Sequence, residues 1–333
     1  MDKYLYSFEK CPACNSRQSE VKHLFDTVLL GEICAVNKCS SCGLVYKEFA
    51  PTARGMEKIY SNDYVHFLDN SSVTDNLPEI NSAKQKLQRC RNLLDNKKSP
   101  SQLKLLDIGC GSGSFVRIAQ NLGYSAQGID PYLPSELESS YLHKRSPESV
   151  DANSYDIAVL LNVAEHLDEP RKMFSSIYDL LKPTGVMLLT CPYGDSLARQ
   201  IYRGAWGHLA LEEHLLFWTP ASLTHMLREI GFKGKVSYRI AGTPFPYGRI
   251  KQQVDIPSKS SQLNYSNQDK SQSCTTPDNA QKNDQKHHRR SFQSYIWQLA
   301  RYTQRQEITA NVIRSLMHLT HTGDYLEYAI KVE

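Results

Sequence analysis

Between Leu103 and about Gly242 the chain alternates short, uninterrupted apolar runs with amphipathic stretches, and this alternation limits the possible folds most sharply. The runs are 104–109 (KLLDIG), 125–130 (SAQGID), 155–163 (YDIAVLLNV), 185–192 (GVMLLTCP) and 235–242 (KVSYRIAG). Runs apolar on both faces belong to strands covered above and below, which means a parallel sheet between helical layers. The stretches between them read as helices. Residues 114–123 end on Gly123 as a C-cap, and 168–185 carry Pro170 near the start and Pro183-Thr184-Gly185 at the stop. Residues 219–232 have Thr219 as N-cap, Pro220 in the first turn and Gly231 at the end.

The most informative motif joins the first of these strands to the first helix: Asp107-Ile108-Gly109-Cys110-Gly111-Ser112-Gly113-Ser114. Glycines are required where backbone turns tightly or touches a ligand, because a Cβ would collide. Exposed amides at the following helix start present donors to a ligand's polar groups. Seventeen residues past Gly113, Asp130 ends the second strand, where an acid faces the ribose of a nucleotide lying across the strand ends. The loop is G-x-G-x-G, not the G-x-G-x-x-G of a dinucleotide site, and Ser114 stands where the third dinucleotide glycine would be. Asp107 adds a negative charge that would repel a pyrophosphate. It would favour the ammonium and sulfonium of S-adenosylmethionine.

With Asp107-x-Gly109-x-Gly111-x-Gly113, Asp130 and the later block 155–170 (YDIAVLLNVAEHLDEP) in view, the chain resembles the class I S-adenosylmethionine-dependent methyltransferases of small-molecule type. Leu180-Leu181-Lys182-Pro183-Thr184-Gly185 is similar to that family's L-K-P-G-G turn. The resemblance covers roughly residues 100–242 plus the last strand. It implies an α/β fold: a doubly wound, seven-stranded, mostly parallel Rossmann-like sheet whose last strand, within 324–332 (DYLEYAIKV), is antiparallel. Carried over, Asp107, Gly109, Gly111 and Gly113 would cradle the methionine end, Asp130 would hold the ribose, and Leu161 and Asn162 would flank the cofactor. The family's acid after the third strand has no clear counterpart in 144–148 (KRSPE), where Ser146 or Glu148 would have to substitute.

Two histidines are the candidates for proton chemistry on the methyl acceptor. His166 follows the fourth strand at the ligand edge, and imidazole titrates near neutrality. His214, in Glu212-Glu213-His214, resembles a histidine that recurs in these methyltransferases before the F-[ST]-x-x-S-L helix start. For both, a purely structural role is the competing reading. The surrounding segment 193–218 carries Trp206, His208, Phe217 and Trp218 and is expected to shape the acceptor pocket.

Cys11-x-x-Cys14 and Cys39-x-x-Cys42, with 24 residues between the pairs, have the spacing of a closed tetrahedral S4 zinc site, structural in character. Asn15 and Gly43, directly after each second cysteine, tolerate the left-handed turn such knuckles use. The layout is similar to the zinc-ribbon N-terminus of some bacterial small-molecule methyltransferases.

The expected organisation is a zinc ribbon at 1–50, a helical connector at 51–100 and the S-adenosylmethionine-binding core at 101–254. A disordered polar insert at 255–290 follows, and 291–333 form a helix plus the final strand completing the core. Net charge is +4, too small to mark a nucleic-acid binder. No run is long enough to span a membrane, and nine cysteines with two C-x-x-C pairs suit a reducing cytoplasm. The expected acceptor is therefore a small molecule, methylated at O, C or N. An RNA or protein target, or a non-catalytic binding protein on the same fold, is the alternative.

Overall fold

The computed structural model describes residues 4–17, 20–59, 77–94, 98–210, 212–242 and 323–333. The polar insert expected at 255–290 and the helix expected in 291–333 ahead of the final strand lie outside the described residues.

The N-terminal part is built from β1 (Leu5–Ser7), β2 (Val21–Leu29), β3 (Glu32–Cys39), β4 (Val45–Lys47) and β5 (Phe49–Pro51), followed by helices α1 (Ala53–Ile59) and α2 (Leu77–Leu94). Strands β1 and β5 pair with each other, and β2, β3 and β4 form an antiparallel meander. In α2 the apolar spacing holds: Ala83, Leu87, Cys90, Leu93 and Leu94 are the buried residues.

The core sheet comprises β6 (Lys104–Ile108), β7 (Ser125–Ile129), β8 (Leu142–His143), β9 (Tyr155–Leu161), β10 (Leu181–Pro192), β12 (Val236–Ala241) and β13 (Tyr325–Lys331). Its strand order is β12-β13-β10-β9-β6-β7-β8. All neighbours are parallel except β13, which is antiparallel to both β10 and β12. The chain starts at the centre, winds outward to β8, then returns across β6 to build the other half. The direction of winding reverses between β6 and β9, and ligands of such sheets bind outside the carboxyl ends at that reversal. Helices α3 (Ser114–Asn121), α4 (Pro170–Leu180) and α6 (Pro220–Ile230) provide the connections. Thr219 caps α6 through a reciprocal box with Ser222.

Successive strand residues serve opposite faces. Leu105, Val159 and Leu188 pack with α2 and α3, whereas Leu106, Leu160 and Leu189 belong to the cluster that holds Phe174, Ile177, Leu223 and Leu227 of α4 and α6. That second cluster also contains Leu5, Phe8, Leu44 and Tyr46, so the N-terminal part shares a core with the sheet.

One connection departs from expectation. After α5 (Leu197–Tyr202), residues 203–210 and 212–218 belong to a strap whose short strand β11 (Leu216–Phe217) joins the N-terminal meander, antiparallel to β4. The Lys47 amide donates to the Leu215 carbonyl at 2.9 Å. Trp206, Phe217 and Trp218 are fully buried in the packing between the two parts. These aromatics act as mortar, not as the pocket lining that their position in sequence suggests.

Candidate active site

The glycine loop follows from the strand it ends. Strand β6 stops at Ile108, and Gly109, Gly111 and Gly113 then adopt φ of 72°, 51° and 78°, a region costly to residues with a Cβ. The three glycines have different reasons to be glycine. A Cβ on Gly109 would lie 2.5 Å from Val163 Cγ2, and one on Gly113 would lie 2.6 Å from Leu142 Cδ1. A Cβ on Gly111 would meet nothing within 4 Å, so its missing side chain leaves open space at the strand ends.

Asp130 fixes this loop. Its Oδ2 accepts from the Gly111 amide at 3.1 Å and its Oδ1 from the Tyr132 amide at 2.9 Å. Burial raises its pKa against the pull of those two amides. Asp107 is the contrasting acid. It is buried, its Oδ1 has no hydrogen-bond partner, and burial followed by the nearby Asp130 charge pushes its carboxyl up to about 8. Two buried acids beside open space favour a cationic hydrogen-bond donor and disfavour a phosphate. The residues therefore fit the amino and sulfonium groups expected there.

The end of β9 closes the other side of the loop. Leu161 is the last strand residue, and Asn162 turns the chain with φ of 57°. The Asn162 amide donates to the Thr190 carbonyl at 2.9 Å, and Val163 abuts Gly109. On the far side, β8 has only two residues, Ser146 is half-buried and Glu148 is exposed.

Three residues past Val163 the chain reaches His166. The strap brings His214 against it, with ring centroids 4.9 Å apart in an edge-to-face arrangement. His214 Nδ1 lies 2.9 Å from the His208 carbonyl, which accepts, so that nitrogen carries the proton and Nε2 is left with its lone pair. Burial, then His166, His208 and Lys47, hold the His214 pKa well below the usual imidazole value. Glu165 completes the group: its carboxyl and the two imidazoles offer atoms all within 4.8 Å of one another. Its carbonyl accepts from the Leu215 and Leu216 amides at 2.8 and 3.0 Å, which secures the strap beside β9. Histidines 48 residues apart thus meet at one edge, together with Glu165, which motif reading passed over. Its signal was adjacency to His166, without any hint that it points into the protein.

The four cysteines also converge. Their sulfurs lie within 4.8 Å of one another, with Cys11–Cys42 and Cys14–Cys39 at 3.6 Å. Tetrahedral zinc with bonds of about 2.3 Å needs sulfur–sulfur edges of about 3.8 Å, so this set could hold the metal with little adjustment. Asn15 and Gly43 have φ of 57° and 83°, and their amides donate to the Cys11 and Cys39 carbonyls at 2.9 and 3.0 Å, closing both knuckles. A hydrogen bond from Cys42 draws the Cys11 thiol down to about 5, while Cys42 is raised by the same contact. Arg171 of α4 ties one knuckle to the core by donating to the Ala13 carbonyl at 2.7 Å.

Residues 79–236 match a family described as a methyltransferase domain. This stretch, a little under half of the chain, is similar to methyltransferase domains. Among curated proteins it is similar to a ubiquinone biosynthesis O-methyltransferase of Dinoroseobacter shibae, 29% identical over 41% of this chain and 63% of that protein. It is also similar to one of Rhodopseudomonas palustris, 32% identical over 39% of this chain and 55% of that protein. The chain thus spans little more than half the length of these relatives. A solved structure of a SAM-dependent methyltransferase from Archaeoglobus fulgidus resembles it with a TM-score of 0.42 and 16% identity, covering 76% of this chain and 94% of that one.

Proposed function

We propose that the protein transfers a methyl group from S-adenosylmethionine to a hydroxyl oxygen of a small organic molecule. The observation that carries the cofactor reading is Asp107, a buried acid with an unpartnered oxygen at the start of the loop in which Gly111 leaves open space. Asp107 would receive the amino group of the methionine end, with the glycine loop as its bed. Asp130 would act on the ribose while holding the loop amides, and Leu161 and Asn162 would bound the cofactor from the β9 side. Bound there, S-adenosylmethionine supplies a methyl group activated by its sulfonium, and the carbon–sulfur bond breaks with its electron pair left on sulfur.

The acceptor's hydroxyl must lose its proton as its oxygen bonds to the methyl carbon, and the His166–His214 pair would receive that proton, which its paired imidazoles support. The rest of the protein's task is to hold the acceptor oxygen in line with the breaking bond. The name of the curated relatives, O-methyltransferases, supports oxygen over carbon or nitrogen. Zinc on Cys11, Cys14, Cys39 and Cys42 would be structural, because four thiolates leave no open position. No helix among the described residues is long and apolar enough to cross a membrane. The eight cysteines among the described residues are free thiols, which supports a reducing, cytoplasmic setting.

The test is transfer of isotope-labelled methyl from S-adenosylmethionine by the purified, zinc-loaded chain. Label should enter a hydroxylated component of a metabolite extract and not total RNA or protein. Label found only in RNA or protein would overturn the small-molecule assignment.

A further inference from the structure

The least explained side chain in the described structure is Glu165. It is 0% exposed, and neither carboxyl oxygen has a hydrogen-bond partner. An unpaired buried carboxylate is among the costliest groups a protein can hold, so one without a partner calls for a role. It sits next to His166, which is half-buried, and near His214, which is buried. The three side chains form one cluster with ligand atoms all within 4.8 Å of one another: a partly open imidazole, a closed imidazole and a closed carboxyl. His214 Nδ1 is committed to the His208 carbonyl, so only its Nε2 can exchange a proton with either neighbour.

We propose that Glu165 is a positioning residue for proton removal, sharing one proton with the His166–His214 pair so that the three groups act as a single base. This rests on the methyl-transfer reading above. When the acceptor hydroxyl yields its proton to the pair, the imidazolium formed faces the Glu165 carboxylate instead of an apolar wall. The arrangement follows the general rule that a base is itself oriented and charge-compensated by a third group. The unit titrates as a whole, not residue by residue.

The surrounding charges are consistent with this. Burial and then Glu213 of the strap push Glu165 up to about 8, so at neutral pH the cluster retains one proton and gives it up on the alkaline side. Cys191 of β10 and Tyr325 of β13 lie close enough to feel the Glu165 charge, and their own ionisation is suppressed by burial. Asp324, just before β13, lies 3.7 Å from His208 Nε2, and the charge of Lys47 of β4 acts on His214. Among the described residues, Glu165 is therefore the buried carboxyl whose atoms reach both imidazoles.

The test uses the zinc-loaded full chain and the variant Glu165→Gln, which keeps the shape and removes the charge. Histidine side-chain NMR titration without cofactor is the first readout. The apparent pKa of the His166–His214 pair should fall by about one unit or more in the variant, as expected on losing an opposite charge within ~4–6 Å. The second readout is the pH profile of methyl transfer. In the wild type kcat should rise through the alkaline limb. In the variant that limb should move to lower pH, with kcat at least tenfold down and KM little changed. Glu165→Asp should recover part of both effects, and it serves if the Gln variant fails to fold. Unchanged histidine titration in a folded variant overturns the proposal. So does a cluster that purifies with a divalent cation, beyond the zinc of the four cysteines, that Glu165→Gln loses. If S-adenosylmethionine binds neither protein, the methyl-transfer reading fails while the histidine titration still decides the coupling.

Discussion

The two sides of the crevice are built by different means. The glycine-loop side is made of backbone: one strand end, three residues with positive φ and two acids within 24 positions of each other. The histidine side is made of side chains from three distant places: the end of β9, the strap, and the N-terminal meander that holds the strap through β4 and β11. The first site would survive changes elsewhere, because its geometry is local. The second depends on tertiary packing, and through it on the four cysteines.

That dependence gives the largest expected effect. Removing zinc with a chelator, or substituting Cys14→Ser, should unfold the N-terminal meander, since a structural site of this kind contributes on the order of 10 kcal/mol. Strand β11 then loses its partner and His214 its place, so methyl transfer should vanish while S-adenosylmethionine binding persists. Calorimetry beside the activity assay checks this. Loss of both together would mean that the two sides are not separable.

Gly111→Val sharpens the contrast from the other side. It adds bulk where a Cβ meets nothing, so packing is spared apart from a cost of about 1–2 kcal/mol for the left-handed backbone. Cofactor affinity should drop at least a hundredfold by calorimetry, with the histidine NMR spectrum intact.

Asp107→Asn separates stability from binding. The Asp107 carboxyl sits at about 8 in the folded protein against about 3.9 in an unfolded chain. Between those values the unfolded state binds fewer protons, so Asp107 makes stability fall as pH rises from about 4 to 8. The variant should therefore melt higher than wild type near pH 8 without cofactor, and bind S-adenosylmethionine roughly tenfold or more weakly. Affinity of the wild type should strengthen as pH rises toward 8 and the acid ionises. Thermal melts with and without cofactor report both effects.

Thr219→Ala is the smallest change, removing the cap of α6 at a cost of about 1 kcal/mol, with little effect on either side of the crevice. A urea titration measures it.

The same division explains what could be read from the sequence. The strands, the caps at Thr219 and Gly231 and the glycine loop were legible because each is written in adjacent residues whose sterics or periodicity allow few conformations; the antiparallel direction of β13 came only from the family resemblance. The two cysteine knuckles were legible for the same reason. What was not legible depended on long-range pairing. Trp206, Phe217 and Trp218 read as pocket aromatics, yet they are buried because the strap crosses to the meander. Asp130 reads as a ribose ligand, and its second task, holding the Gly111 and Tyr132 amides, depends on how the loop folds back on the strand end. Glu165 was visible only as a neighbour of His166, since nothing in a single sequence says that its side chain faces inward.

The central claim is that the space above Gly111, beside Asp107, takes a cationic sulfonium donor. Isothermal titration of the zinc-loaded chain with S-adenosylmethionine, and separately with a nicotinamide dinucleotide, tests it directly. The account predicts saturable one-site binding of the first, abolished by Gly111→Val, and none of the second. Binding of the dinucleotide, or no heat with S-adenosylmethionine from a folded protein, would contradict it.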